Sequence, residues 1–260
     1  MFLHIIISMK DILTEIPART NKPRENGITM VMDKGKSIRE AEDFLSINQK
    51  YTDIIKLGFG TSIITPNIAE KIKIYQENGI LVYTGGTLFE AFAIRNKLDD
   101  YKKYMNSLNL NMVEISDGSI SLNHEKKCEI ISEFAKDFKV ISEVGSKDPG
   151  IKMSNRDWVK CMENELSAGS WKIIAEARES GNVGIYNDDG EIKSDIVNVI
   201  MQKIPFDKII WEAPNKDQQS WFIKEYGANI NLGNISPCEV IPLECLRIGL
   251  RSDTFNNFLT

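Results

Sequence analysis

Four glutamates recur at equivalent places in this chain: Glu114 in MVE, Glu143 in VISE, Glu176 in IIAE and Glu212 in IIWE. Each stands near the C-terminal end of a short β-branched run, and each is followed by a polar segment: ISDGS, VGSKD, ARESG and APNKD. A carboxylate inside an apolar run is costly unless something compensates it. Two carboxylates ~4 Å apart repel by about 4 kcal/mol at an effective dielectric of about 20. Gathered at one place, four of them call for a divalent cation or several basic groups. The basic groups available are Lys34 after the first run, Lys56 inside the second, Lys147 after the fifth and Arg178 after the sixth. The chain has two histidines, His4 and His124, and His124 in SLNHEKK reads as a loop or first-turn residue. An imidazole triad or a His-rich zinc site is therefore not expected, and oxygen-only donors favour Mg²⁺ or Mn²⁺. The alternative for each glutamate is an outward side chain paired with a helix Lys or Arg. For Lys56 it is a salt bridge beneath a barrel rim.

The elements that would carry these residues can be read from the apolar pattern. Eight runs occur in order: ITMVM (28–32), DIIKLGF (53–59), ILVYT (80–84), NMVEI (111–115), KVISEV (139–144), KIIAEA (172–177), KIIWEA (208–213) and NINLG (229–233). Their length and β-branched content suit strands buried on both faces. Their mean spacing of about 29 residues is that of a strand plus a crossover helix. Between them, SIREAEDFLSINQKY opens with Ser37 three residues before Glu40, a capping box. TPNIAEKIKIYQENG offers Thr65 as N-cap, Pro66 in the first turn and Gly79 as stop. HEKKCEIISEFAKDF, SNRDWVKCMENELSAG and KSDIVNVIMQKI read as helices too. Strand and helix alternate without a Pro/Gly/Ser-rich linker, which favours a closed (β/α)8 TIM barrel over an open doubly wound sheet. One domain spanning 1–260 is expected, with residues 1–26 an extension leading into the first strand. In such a barrel all C-terminal strand ends surround one mouth, and the four glutamates would converge there.

Composition narrows the function. The chain is 42% apolar and 27% charged, with a net charge of −5, which argues against a nucleic-acid surface. The four cysteines, Cys128, Cys161, Cys238 and Cys245, form no CxxC pair and read as buried thiols in a reducing compartment. The apolar start FLHIII is too short to span a bilayer and no small-residue cleavage site follows, so no membrane partner and a cytoplasmic location are expected. Met9 offers an alternative start, with residues 1–8 an upstream extension. GKS (35–37) resembles the end of a P-loop, but Met30 stands where the earlier glycine is required. Gly58-Phe59-Gly60 likewise lacks the third glycine of a dinucleotide fingerprint, Ile63 taking its place.

Glycines follow most of the runs, Gly85-Gly86 and Gly233 among them, where backbone N–H groups can approach a ligand. A phosphate often sits on the loops after strands seven and eight of this fold, here NLGNISPCE. Taken as a set, KPRENGITMVMDKG, DIIKLGFGTS, YTGGTLFE, VEISDGS, SEVGSKD, AEARESG, WEAPNKDQQSWFI, NLGNI and LECLRIGLRSDT resemble the phosphosulfolactate synthase family, from about Lys22 to Thr254. The resemblance implies a (β/α)8 enzyme that adds sulfite to phosphoenolpyruvate with Mg²⁺, giving (2R)-phospho-3-sulfolactate. That is the first step of one route to coenzyme M. Bacterial members are linked to sulfolactate formation, and plant heat-stress proteins form a distant branch. Lys147 matches the family's candidate general acid, although Ser146 departs from the usual Val-Gly-Lys-Lys. Glu114, Glu143 and Glu176 are then the expected Mg²⁺ ligands, with Glu212 and Asp33 in reserve. Lys34, Lys56 and Arg178 would take phosphate, carboxylate or sulfite, in an order left open. Gly85, Gly86, Gly233 and Asn234 are expected to approach the substrate, and a homo-oligomer is expected. The alternatives are a Schiff-base aldolase using Lys56 or Lys147, and a non-catalytic stress-associated barrel.

Overall fold

The structure, a computed structural model, describes residues 13–145, 153–177 and 180–259. Eight parallel strands are present: β1 (Thr29–Asp33), β2 (Ile54–Leu57), β3 (Leu81–Thr84), β4 (Met112–Ile115), β5 (Lys139–Val144), β6 (Lys172–Ala175), β7 (Ile209–Glu212) and β8 (Leu232–Ile235). Their order is β3-β2-β1-β8-β7-β6-β5-β4, and β3 lies against β4 without a ladder, so the barrel is nearly closed. The helices between them are α1 (Ile38–Asn48), α2 (Thr61–Ile64), α3 (Ile68–Glu77), α4 (Gly86–Ala93), α5 (Leu98–Ser107), α6 (His124–Phe134), α7 (Asn155–Ala168), α8 (Ser194–Lys203), α9 (Lys216–Tyr226) and α10 (Val240–Arg247).

The two-residue period of the strands builds two apolar layers. Ile28, Met30, Ile54, Tyr83, Met112, Ile141, Ile174 and Ile210 fill the barrel interior. Their neighbours Val31, Ile55, Val82, Val113, Val140, Ile173, Trp211 and Leu232 pack outward under the helices. Helix starts follow local chemistry. The Ser37–Glu40 capping box forms at α1, Ser154 caps α7, and Gly169 ends α7 in the left-handed region at φ +119°.

Two expected boundaries shift. The eighth strand runs over Leu232–Ile235, not 229–233, because Asn231 is drawn into the barrel's N-terminal end. Its side chain accepts from Ile28 N at 2.9 Å and donates to Ile209 O at 3.0 Å, while its carbonyl accepts from Trp211 N at 3.1 Å. The helix after β2 begins at Ile68 with Asn67 before it, not at Thr65. Pro66 disfavours helical geometry at its predecessor. Thr65 closes α2 instead, its N–H and hydroxyl both donating to Thr61 O. Among the described residues no helix is long and apolar enough to cross a membrane.

Candidate active site

Side-chain alternation decides where the charged residues point. Counting two residues on from the interior layer of Ile54, Met112, Ile141, Ile174 and Ile210 gives Lys56, Glu114, Glu143, Glu176 and Glu212. All five therefore project inward, one layer nearer the C-terminal mouth, and all are buried. They form the floor and wall of a cavity of about 400 Å³, which Met32, Phe59, Gly85, Gly86, Thr87, Ser119, Ser180 and Asn234 complete. That volume suits a small-molecule substrate.

Lys56 stands among the glutamates. Its Nζ lies 3.0 Å from Glu114 Oε2, 3.4 Å from Glu212 Oε1 and 3.5 Å from Glu143 Oε2. Burial opposes its charge, but the surrounding Glu114, Glu212 and Glu143 carboxylates hold its pKa well above the usual lysine value. Main-chain donors hold two of the acids. Gly86 N, at the start of α4, donates to Glu114 Oε1 at 2.6 Å, and Ala177 N donates to Glu212 Oε2 at 2.9 Å. No side chain fits at Gly86, whose Cβ would collide with Glu114 and Ser116. Gly145, at φ +129°, is constrained similarly: a Cβ there would lie 2.7 Å from that of Glu176.

One oxygen each from Glu143, Glu176 and Glu212 lies within 4.8 Å of the others, an arrangement able to hold a metal ion. Three hard carboxylate donors with no nitrogen or sulfur among them fit Mg²⁺ or Mn²⁺. This trio differs from the expected Glu114, Glu143 and Glu176. Glu212, held in reserve on sequence grounds, stands in this trio, although like Glu114 it accepts a main-chain N–H and lies beside Lys56.

The remaining expected residues separate. Asp33 turns outward to α3, where it meets Lys71 at 2.8 Å and Tyr75 at 3.1 Å, so it is not with the acidic group. Lys34 is exposed on the loop after β1 and does not line the cavity. Gly233 faces the interior, where a Cβ would press on Met30 and Ile210, so its smallness serves packing rather than a ligand. Gly85 and Gly86 line the cavity, as does Asn234. Asn234 adopts φ +55°, and its buried Oδ1 has no hydrogen-bond partner among the described residues. Lys147 and Arg178 lie outside the described residues.

Sequence reasoning missed Glu90, Ser116 and Lys127. Ser116 Oγ reaches Glu90 Oε1 at 2.5 Å and Glu143 Oε1 at 3.1 Å. Lys127, on α6, donates to Glu143 O at 2.6 Å and meets Asp117 and Glu165 at 2.8 Å. Burial works against its charge, yet Glu165 and Asp117 raise its pKa above the ordinary lysine value. The available signal was a charged residue on the apolar face of its helix, at Glu90 in TLFEAF and Lys127 in KKCEII. The cysteines are free; Cys238 is exposed and the other three are half-buried, so none is a fully buried thiol.

Eight parallel strands with charged groups at their C-terminal rim define a (β/α)8-barrel enzyme. Solved structures agree on the fold. The YdjI aldolase from Escherichia coli K12 superposes with a TM-score of 0.56 at 10% identity, covering 82% of this chain and 76% of that one. The 3-keto-L-gulonate-6-phosphate decarboxylase from Vibrio cholerae gives 0.53 at 9% identity, covering 90% and 99%. Sequence relatives are more specific. The chain is 43% identical over 251 residues to the phosphosulfolactate synthase of Methanothermobacter thermautotrophicus, covering 94% of this chain and 96% of that protein. It is 39% identical over 250 residues to the phosphosulfolactate synthase of Bacillus subtilis, covering 95% and 99%. Protein HEAT-STRESS-ASSOCIATED 32 of Arabidopsis thaliana is further away, 24% identical with 88% of each chain covered. The family model for (2R)-phospho-3-sulfolactate synthase (ComA) matches residues 17–253, and the chain belongs to that family, an enzyme of the lyase type.

Proposed function

We propose that the chain adds sulfite to C3 of phosphoenolpyruvate, giving (2R)-phospho-3-sulfolactate, with Mg²⁺ held by Glu143, Glu176 and Glu212. The observation that carries this reading is the convergence of three hard oxygen donors beside Lys56 in one cavity. In the reaction the sulfur lone pair of sulfite forms a bond to C3. The π pair of the C2=C3 bond moves to C2 and into the carboxylate, and a proton then arrives at C2. Bound Mg²⁺ would supply charge stabilisation for the carboxylate as it gains its second negative charge.

The chain's own groups do the rest. Lys56 places a positive charge at the cavity wall, where the neighbouring glutamates favour its ammonium form and it can stabilise negative charge on the substrate. Proton delivery falls to Lys147, the lysine of the VGSKD segment that follows Glu143. Asn234 lines the cavity, where its amide NH₂ would donate to an anionic oxygen of the bound substrate. Met32 and Phe59 give one side of the cavity an apolar lining. The test is purified protein with sulfite, phosphoenolpyruvate and Mg²⁺, followed by phosphorus NMR. A new phosphate ester that disappears with EDTA and returns with Mg²⁺ supports the reading. Unchanged phosphoenolpyruvate defeats it.

A further inference from the structure

Strand β8 breaks the two-residue alternation of the barrel. Leu232 and Ile235 both pack outward under the helices, although residues three apart on a strand should face opposite sides. Gly233 between them faces the interior, where a Cβ would press on Met30 and Ile210. The extra residue is a bulge on the β1 side: β1 advances from Thr29 to Val31 while β8 advances from Leu232 to Ile235. On the β7 side the pairing stays regular through Glu212 and Gly233. Asn234 is the added residue, at φ +55°, and it lines the cavity. With regular pairing Asn234 would turn toward the helices and Ile235 would stand on the cavity wall. Two costs meet at this one position. A non-glycine residue holds a left-handed backbone, and its Oδ1 is buried with no hydrogen-bond partner among the described residues. Asn234 as a whole is only 6% exposed.

The cavity wall is divided by charge. Strands β4 to β7 contribute Glu114, Glu143, Glu176 and Glu212. Asn234 on β8 begins the other half, which continues through Met32 on β1 and Lys56 on β2 to Gly85 and Gly86 after β3. Among the described residues no carboxylate lines that half. A phosphoryl dianion is repelled by the glutamates, whereas an amide N–H and an ammonium attract it. We infer that Asn234, turned inward by the β8 bulge, is a specificity-determining residue whose amide NH₂ donates to the phosphoryl group of the substrate. The inference rests on the phosphoenolpyruvate reading above and adds the orientation of that molecule. Its phosphoryl end lies against β8, and its carboxylate lies toward the acidic half and the cation held there.

Calorimetric titration with phosphoenolpyruvate, with Mg²⁺ present and sulfite left out, tests it. Oxalate, which carries carboxylates and no phosphoryl group, is titrated alongside. Glycine enters the left-handed region freely, so Asn234→Gly keeps the bulge and removes only the amide. It should melt at or above the wild-type temperature and bind phosphoenolpyruvate about 10–100-fold more weakly, with oxalate within about twofold of wild type. Asn234→Asp keeps the shape but sets a carboxylate against the phosphoryl group, and should weaken phosphoenolpyruvate at least about 100-fold. An Asn234 that serves only the turn predicts wild-type phosphoenolpyruvate affinity in Asn234→Gly, and this result overturns the inference. Equal weakening of both ligands overturns it too, since the amide would then not read the phosphoryl group. Should Asn234→Gly fail to fold, Asn234→Asp decides alone, because unchanged phosphoenolpyruvate affinity there has no place in the proposal. If the wild-type protein binds no phosphoenolpyruvate, the reading of the function fails and the inference goes with it. If wild type binds it and Asn234→Gly binds it equally, only the inference fails.

Discussion

At the N-terminal end of the barrel, Lys172 donates to Asp207 O at 2.6 Å and Glu25 O at 2.9 Å, and Arg247 donates to Ala228 O and Ile230 O at 2.6 and 2.7 Å. Arg24 joins them, donating to Thr20 O and to Asp53 Oδ1, whose other oxygen accepts from Thr29 N. At the C-terminal end buried carboxylates surround the Lys56 ammonium, and the main chain meets two of them with N–H groups, from Gly86 and Ala177. The contrast follows from chain direction. Helices run back along the strands, so their donor ends lie at the mouth and their acceptor ends lie at the base. Each rim accordingly favours one sign of charge. The difference is in crowding. At the base, the cations meet fixed carbonyls, with one carboxylate each for Arg24 and Lys172. At the mouth, Glu143, Glu176 and Glu212 are pressed within 4.8 Å of one another, a geometry that serves a ligand rather than the fold.

The same substitution at both ends should separate these roles most sharply. Lys56→Met removes the ammonium shared by three glutamates and should lower turnover about a thousandfold in the sulfite and phosphoenolpyruvate assay. Lys172→Met strands two main-chain carbonyls and should cost ~3–5 kcal/mol in urea unfolding, while turnover of the folded fraction stays within about threefold. Equal loss of turnover per folded molecule in the two variants would erase the distinction. Glu143→Gln comes next, with Mg²⁺ binding weakened at least about tenfold by calorimetry. Overlaying titrations would remove Glu143 from the ligands.

Stability should respond in opposite directions to neutralising an acid at each end. Asp53→Asn weakens the bond to Arg24 and should lower unfolding stability by ~2 kcal/mol. Glu212→Gln relieves like-charge repulsion and should leave stability unchanged or raise it by ~1 kcal/mol while turnover falls. The smallest expected effect concerns pH. The folded-state pKa of Lys56 lies above the unfolded value of about 10.4, so its stabilising contribution is complete below that pH. It is lost only as pH climbs through the higher folded value. Between about pH 7 and 9 the amine stays protonated, and borohydride with an α-keto acid should attach nothing to Lys56 by mass spectrometry. A reduced adduct there would favour a Schiff-base aldolase.

Much of the mouth was legible from the chain. The run VISEV, with Glu143 at an inward position, already implied a buried carboxylate needing company, and DIIKLGF offered the lysine that meets it. Glu114, Glu176 and Glu212 share that strand-end position, but runs apolar on both faces left inward and outward readings open, and the barrel interior layer decided for inward. The choice among the glutamates was not legible. Glu143, Glu176 and Glu212 each bring an oxygen into one small volume through the placement of their three strands, which no single run discloses. Asp33 has the same strand-end position as Glu212 but the opposite phase, which the pattern ITMVMD, apolar on both faces, does not disclose. Gly233 looked like a backbone approach to phosphate, and its reason turned out to be the Met30 and Ile210 side chains across the barrel.

The sequence by itself determined eight strand-and-helix units, four glutamates at equivalent strand ends with a lysine inside the second run, and a composition with two histidines. These are local properties, set by side-chain periodicity, capping chemistry and composition. Tertiary structure decided which carboxylates share one small volume and that Lys56 is held charged by three glutamates. Distances between strands and the packing of a helix end on its neighbour fix those outcomes. Residues far apart in the chain meet only when the barrel closes.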